Sequence, residues 1–331
     1  MKTLVCFGTR PEYLKVKPLI LDNPSLDTLF LKQHVDIITF GKSTYSVDID
    51  DVCTNRLNSI FQQILLKAEN IIDKYDNIII QGDTATVAAV ALVAYNLKKN
   101  IFYVESGLRS FDLENPFPEE GYRQMVSRIA TVNLSPTDLS AENLKKENVL
   151  GDIFVTGNTA LDNLVEHRDN AFYGKDILVT LHRSENLELL SEWLESIDNI
   201  AKNFDRYRFI YPVHPNPKIK QIAEKVKNII KIDPLEHDEF IKILKGCATV
   251  ITDSGGVQEE GSFLNKKIIV CRKTTERPEG IDTGHLTLCD SPVELPEIFE
   301  RVIRDITINV DCPYGDGNAS SKINDILDGY K

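Results

Sequence analysis

The sequence predicts an α/β protein made of two consecutive doubly wound halves that face a cleft. Three observations carry this. Short β-rich runs alternate with helical patterns from end to end. The rhythm pauses over the polar stretch "EHRDNAFYGKD" (166–176) and then restarts. Polar, often glycine-containing loops follow the strands of both series.

In the first series the strand candidates are "TLVCFG" (3–8), "NIIIQG" (77–82), "IFYVES" (101–106), "TVNLS" (131–135) and "IFVTGN" (153–158). Helical patterns fall at about 12–22, 56–75, 84–98, 119–130, 138–147 and 159–168. The second series has "DILVTLH" (176–182), "RFIYPVH" (208–214), "IIKID" (229–233), "ATVITDS" (248–254) and "KIIVCR" (267–272). Helix-like segments near 292–304 and 319–328 close the chain. The expected domains are therefore 1–168 and 176–310, with a final segment, 311–331, whose helix packs back on the first domain.

Bulk properties remove several function classes. A chain of 331 residues, 42% hydrophobic and 27% charged, is long enough for two buried cores and is not a disordered composition. A formal net charge of -12 argues against nucleic acid and against an anionic membrane surface as partners. It leaves room for an anionic small ligand held by local N–H groups and a few arginines. The six cysteines are scattered without a CxxC pair, so buried thiols are expected in place of disulfides or zinc. No HExxH or similar spacing calls for a metal, and nothing calls for an organic cofactor. "MKTLVCFGTRPE" enters a strand directly, without a signal-peptide pattern, and the longest apolar run, "VAAVALVAY" (87–95), is too short to span a bilayer. A cytoplasmic location is the expectation.

In doubly wound sheets ligands meet the loops at the carboxyl ends of strands. Here those loops read "GTRPEYLK", "GDTAT", "ESGLRS", "PEEGYR", "GNT", "HRSEN", "VHPNP", "DSGGVQEE" and "RKTTERPEG". Glycine lets the backbone turn sharply and approach a ligand, and each turn opens a helix whose first N–H groups attract anions. The cations Arg10, Lys15, His182, Arg183, His214 and Arg277 gather in or near these loops and point to a bound diphosphate. The acids are Asp83, Glu105, Glu119, Glu120, Glu259 and Glu260. Asp83 has two readings, as a cap for the helix near Thr84 or as a reacting acid. Glu105 follows an apolar strand, where partial burial suits proton transfer, and Glu119 begins a helix after Pro118. Walker, GxGxxG and GxSxG patterns are absent. The residues alone thus describe two Rossmann-like halves, a nucleotide diphosphate and carboxylates set for proton transfer.

"FGTRPEYLKVKPLI", "QGDTATVAAVALVAYNLKKNIFYVESGLRS", "NPFPEEGYRQMVSRIA", "SPTDLSAENLKKENV", "IFVTGNTALDNL", "LVTLHRSEN", "YPVHPNP", "TDSGGVQEEGSFLNKKIIVCRKTTERPEG" and "DTG" occur in this order. In them the chain closely resembles the non-hydrolysing UDP-N-acetylglucosamine 2-epimerases, over nearly its whole length except about 23–75. The resemblance implies a glycosyltransferase-B-like fold. It also implies interconversion of UDP-GlcNAc and UDP-ManNAc for surface polysaccharide precursors, by elimination of UDP to 2-acetamidoglucal and re-addition. Carried over by motif, Asp83, Glu105 and Glu119 are the acid/base residues and His182 assists UDP departure. Arg10, Lys15, His214 and Arg277 line the ligand site. Ser254, Gly255 and Gly256 bind the diphosphate, and Glu260 the ribose hydroxyls. Glu259, on another helix face, is structural. A homodimer is expected from the resemblance alone.

The departures are local. Of the family's "TGQH" stretch, "LKQHVD" (31–36) keeps only Gln33 and His34, and the segment after it is shortened. In bacterial members this region helps bind a second, activating UDP-GlcNAc. The positions of that site present here are Gln33, His34, Arg183 and His214. "HRSEN" has Ser184 where arginine is common. Other activities stay open on these motifs: a hydrolysing relative releasing UDP and ManNAc, a 2-epimerase of a UDP-2,3-diacetamido uronic acid, or a non-catalytic sugar-nucleotide sensor. "HRSEN" and the intact "TTERPE" favour the non-hydrolysing type, and a sensor would not need the acids.

Overall fold

The computed structural model describes residues 1–32, 43–183 and 186–330. The chain divides into two units, Met1–Asn163 with Gly315–Lys331, and Leu164–Tyr314. Among the described residues the first unit holds strands β1 (Thr3–Phe7), β2 (Asp27–Lys32), β3 (Tyr45–Asp48), β4 (Asn77–Gln81), β5 (Asn100–Val104), β6 (Val132–Ser135) and β7 (Asp152–Val155). They form one parallel sheet in the order β3-β2-β1-β4-β5-β6-β7.

This sheet is apolar on both faces, as parallel sheets covered by crossover helices must be. Leu4 and Cys6 of β1, Ile78 and Ile80 of β4, and Ile101 and Tyr103 of β5 join one core. Their neighbours Val5, Phe7, Ile79, Phe102 and Val104 join the other. The first core also takes Ile60 and Ile64 from the helix Arg56–Lys67, most of the alanine-rich helix Ala85–Asn96, and Val126 of the helix Glu119–Ile129. The second face is covered by Val16 and Leu19 of the helix Arg10–Asp22 and by Ile323 and Leu327 of the last helix, Ala319–Gly329. Asp162 anchors that helix by accepting the N–H groups of Ala319 at 3.1 Å and Ser320 at 2.7 Å.

The second unit has β8 (Asp176–Thr180), β9 (Arg208–Pro212), β10 (Ile230–Ile232), β11 (Cys247–Thr252), β12 (Lys267–Val270) and β13 (Leu286–Leu288). Its parallel order is β10-β9-β8-β11-β12-β13. Ile177 and Val179 pack with Trp193, Leu194 and Ile197 of the helix Leu190–Asn203 and with Phe299 of the helix Leu295–Arg304. Tyr314 ends the unit fully buried, donating to the Arg277 carbonyl and accepting the Gly280 N–H.

Three strands differ from the sequence expectation, which placed none at 27–32, 45–48 or 286–288. β2 offers only a brief apolar run, β3 is an edge strand with alternate exposed residues, and β13 is three residues long. Such segments are strands because a neighbour pairs with them. The cysteines are free thiols, with Cys6, Cys247, Cys271, Cys289 and Cys312 buried. Among the described residues no helix is long and apolar enough to cross a membrane.

Candidate active site

In each unit the strand order reverses beside its first strand, between β1 and β4 and between β8 and β11. Loops leaving such a pair diverge and open a crevice at the carboxyl edge. The loops concerned are residues 8–10 and 82–84 in the first unit, and 181–183 and 253–256 in the second.

Glu12 ties the first pair together. It is the third residue of a helix capped by Thr9, the T-x-x-E spacing of a capping box. Its buried carboxylate accepts the Gly8 N–H at 2.6 Å and the Thr84 hydroxyl at 2.7 Å, so the β1 loop is fastened to the β4 loop. Burial pushes its pKa up, against the pull of these hydrogen bonds. Arg10 opens the same helix and is half-buried.

The cap of the helix after β4 is Thr84, which accepts from the Val87 N–H, so the Asp83 carboxylate is not used for capping. Arg123 instead holds Asp83, with Nε at 2.9 Å and Nη2 at 2.6 Å from the same oxygen, Oδ2. Arg123 also meets the fully buried Glu120 at 3.4 Å. It lies one turn beyond Glu119 on the helix Glu119–Ile129, which puts Glu119 and the Asp83 partner on one helix face. Glu119 Oε2 is buried without a hydrogen-bond partner.

Glu105 follows β5 in the left-handed region, at φ 65°. Both its oxygens are engaged: Lys15 Nζ lies at 2.7 and 2.6 Å, and the buried Gln81 amide donates to Oε2. Lys15, on the first helix, thereby reaches the loop after β5.

In the second unit a buried carboxylate again crosses the reversal. Asp253, just past β11, accepts the N–H groups of His182 and Arg183 at 3.0 Å each and the Asn186 amide at 3.0 Å. His182 Nδ1 is 3.7 Å from Asp253 Oδ1. The His182 and His214 rings stack, with centroids 5.6 Å apart and planes 7° apart. Burial and then the charge of His182 lower the His214 pKa.

Ser254 caps the helix Gly255–Phe263 by position without a side-chain cap bond, and a Cβ on Gly256 would meet nothing within 4 Å. Gly255 is backed by Arg277. That arginine is buried, with Nε 2.7 Å from Glu259 and Nη1 3.1 Å from Glu276, which pairs in turn with Arg272 at 2.9 Å. Arg277 thus sits under the glycine turn. Glu259 is thus engaged by Arg277 within the fold. Glu260, on another face, meets His237 Nε2 at 2.9 Å.

The structure therefore gathers Lys15, Glu105 and Gln81 at one point, Asp83, Arg123 and Glu120 at a second, and His182, His214 and Asp253 at a third. Gln33 and His34 lie outside the described residues. Sequence reasoning passed over Glu12, Gln81, Arg123, Asn186, Asp253 and His237. Only Glu12 carried a local signal, its capping-box spacing.

A family model described as UDP-N-acetylglucosamine 2-epimerase matches residues 24–328. The chain is 34% identical to the UDP-N-acetylglucosamine 2-epimerase of Bacillus subtilis, over 98% of this chain and 94% of that protein. It is 33% identical to the Escherichia coli K12 protein of the same name, over 99% and 98%. Among solved structures, the Neisseria meningitidis UDP-GlcNAc 2-epimerase bound to UDP-GlcNAc superposes with a TM-score of 0.91 at 30% identity, covering 99% of this chain and 100% of that one. The Methanocaldococcus jannaschii UDP-GlcNAc 2-epimerase in complex with UDP-GlcNAc and UDP gives 0.85 at 29% identity, with both chains covered in full at 100%.

Proposed function

The chain belongs to the UDP-N-acetylglucosamine 2-epimerase family, and from that membership we propose that it interconverts UDP-GlcNAc and UDP-ManNAc without a cofactor. The observation that carries this reading is the set of carboxylates at the loop ends of the first unit. Asp83 keeps Oδ1 outside its Arg123 pair, and Glu119 keeps Oε2 without a hydrogen-bond partner.

A C2 hydrogen beside an acetamido carbon is too weakly acidic for simple removal and return. Coupling its removal to loss of UDP solves the problem. A carboxylate takes the C2 proton, the C–H pair becomes the C1–C2 double bond, and the C1–O pair leaves on the β-phosphate oxygen. Re-addition of UDP at C1, with protonation of C2 from the opposite face, gives the epimer. We assign the two proton transfers to Asp83 and Glu119, each with an oxygen in reserve. Glu105, held by Lys15, supplies a fixed charge beside them.

The second unit's contribution in this reading is the grip on UDP. Gly255 and Gly256 present the first N–H groups of their helix to the diphosphate, and Glu260 accepts from the ribose diol. His182 stabilises the departing phosphate. A cytoplasmic location, a homodimer and a role in polysaccharide precursor supply go with this proposal.

The test is incubation with UDP-GlcNAc in D2O, followed by NMR. UDP-ManNAc carrying deuterium at C2 is the expected product. Free ManNAc with UDP would replace this reading with a hydrolase, and no exchange would remove the assigned substrate. Asp83→Asn should abolish C2 exchange while UDP still binds, and a near-normal rate would sink that residue's role.

A further inference from the structure

His182 and His214 are neighbouring imidazoles whose Nδ1 atoms face opposite partners, a carboxylate and a backbone N–H. His214 Nδ1 accepts the backbone N–H of Asn216 at 3.2 Å. That nitrogen therefore carries no hydrogen, and the ring is the neutral Nε2–H tautomer. His182 Nδ1 faces Asp253 Oδ1 at 3.7 Å, and a carboxylate favours hydrogen on the ring nitrogen turned towards it. Stacking at 5.6 Å makes a second positive ring unfavourable, and burial together with the charge of His182 holds the His214 pKa down. Of the two rings, His182 is therefore the one set to carry hydrogen on Nδ1.

Asp253 is built to enforce this. Its side chain is fully buried, while the His182 side chain is 40% exposed. The donors that fix its carboxylate, the N–H groups of His182 and Arg183 and the Asn186 amide, are all neutral. Among the described residues the basic group it meets is the His182 ring. Asn186 is itself locked, donating to the Cys271 carbonyl at 3.0 Å. The carboxylate cannot swing away without orphaning three donors.

We propose that Asp253 is a positioning residue for leaving-group departure, which holds His182 with Nδ1–H inward and Nε2 outward and makes it, in preference to His214, the proton carrier of the pair. The chemistry of this step rests on the epimerase reading above. In its protonated form His182 gives the Nε2 proton to the β-phosphate oxygen as the C1–O bond breaks and its electron pair moves to that oxygen. The ring is left neutral, with Nδ1–H still towards Asp253. On re-addition the proton returns to Nε2, so none is consumed over a turnover. The role parallels the aspartate that orients the histidine of a Ser-His-Asp triad.

The direct test is NMR of the full chain labelled with 15N-histidine, with His182→Gln and His214→Gln assigning the signals. The expected spectrum has a protonated Nδ1 on His182 and an unprotonated Nδ1 on His214. An unprotonated His182 Nδ1 would overturn the proposal. This measurement needs no turnover, so it fails separately from the epimerase reading, which fails if the wild-type chain exchanges no C2 hydrogen. The second test is Asp253→Asn, which keeps an acceptor for the His182 and Arg183 N–H groups. Its kcat should fall about 10²-fold while KM stays within about threefold. In a His182→Gln background it should cost nothing further, because the two act as one unit. Losses that multiply in the double variant, or a kcat within about twofold of wild type, would overturn the assignment.

Discussion

Lys15 Nζ lies 2.7 and 2.6 Å from the two oxygens of Glu105, a contact between residues 90 positions apart. It joins the first helix to the loop after β5, and Gln81 closes the third side of the carboxylate. Glu105 is buried, so without the ammonium its charge would be poorly compensated. Lys15→Met should slow C2 exchange by about 10²-fold, and Lys15→Arg should recover part of the loss by restoring the cation. Exchange rates in D2O read both. Equal rates for the two variants would mean that shape, not charge, matters at this position.

Gly255 and Gly256 are adjacent but face different surroundings. A Cβ on Gly255 would come 2.7 Å from Arg277 Nη1 and 3.0 Å from its Cζ, and that guanidinium is held in a buried ion-pair network. Gly255→Ala should therefore cost stability, about 1–3 kcal/mol, by displacing a side chain that has nowhere to go.

Gly256→Ala meets open space. Its melting temperature should hold or rise, since alanine favours a helix by about 1 kcal/mol over glycine. Its UDP affinity should fall at least about tenfold if, as proposed, the N–H groups beneath that methyl group receive the diphosphate. Thermal melts with UDP calorimetry separate the two variants. Unchanged UDP binding in Gly256→Ala would move the diphosphate away from this turn.

The reach of sequence reasoning follows from what is local. The loops at the reversals beside β1 and β8 could be read because "GTRPE", "GDT", "HRSEN" and "DSGG" stand where apolar runs end. The partners of those residues could not. Glu12 meets Thr84 across 72 positions and Asp253 meets His182 across 71. On paper each is one more acid near a helix start. Only the parallel order, which seats the first strand of each unit beside its fourth, turns them into fasteners. Arg277 shows the converse: an arginine in a ligand-type motif whose guanidinium is taken up by Glu259 and Glu276 beneath the turn.

Glu12 tests the first fastener. Gln can accept the Gly8 N–H and donate to the Thr84 hydroxyl, so Glu12→Gln keeps the loop tie and removes a buried charge. Glu12→Ala leaves the Gly8 N–H and Thr84 hydroxyl unmet, at a cost of about 1–3 kcal/mol, and should also slow epimerisation by loosening Asp83 relative to Arg10. Burial raises the folded-state pKa of Glu12 above its ordinary 4.5. The folded state then holds the proton more tightly, so this group's contribution weakens as pH rises through the folded value. The stability of Glu12→Gln relative to wild type, from urea midpoints, should increase from pH 4 towards neutrality. A constant difference would show that Glu12 does not titrate in this range.

His285 gives the opposite pH signature in the second unit. It is fully buried at the turn before β13, and its Nδ1 meets the Thr283 hydroxyl at 2.8 Å. Burial pushes its pKa from 6.5 down to about 4. Between those values the unfolded chain binds a proton that the folded chain refuses. Stability therefore falls as pH drops through this window, by up to about 1.4 kcal/mol per pH unit from this one group. Above pH 6.5 the ring is neutral in both states and adds no slope. His285→Gln removes the titration while keeping a polar group near Thr283. Urea midpoints at pH 7, 6 and 5 should show wild type losing ground to the variant only in the last two. Parallel curves across all three would mean that His285 accepts its proton in the folded protein as readily as in the unfolded chain.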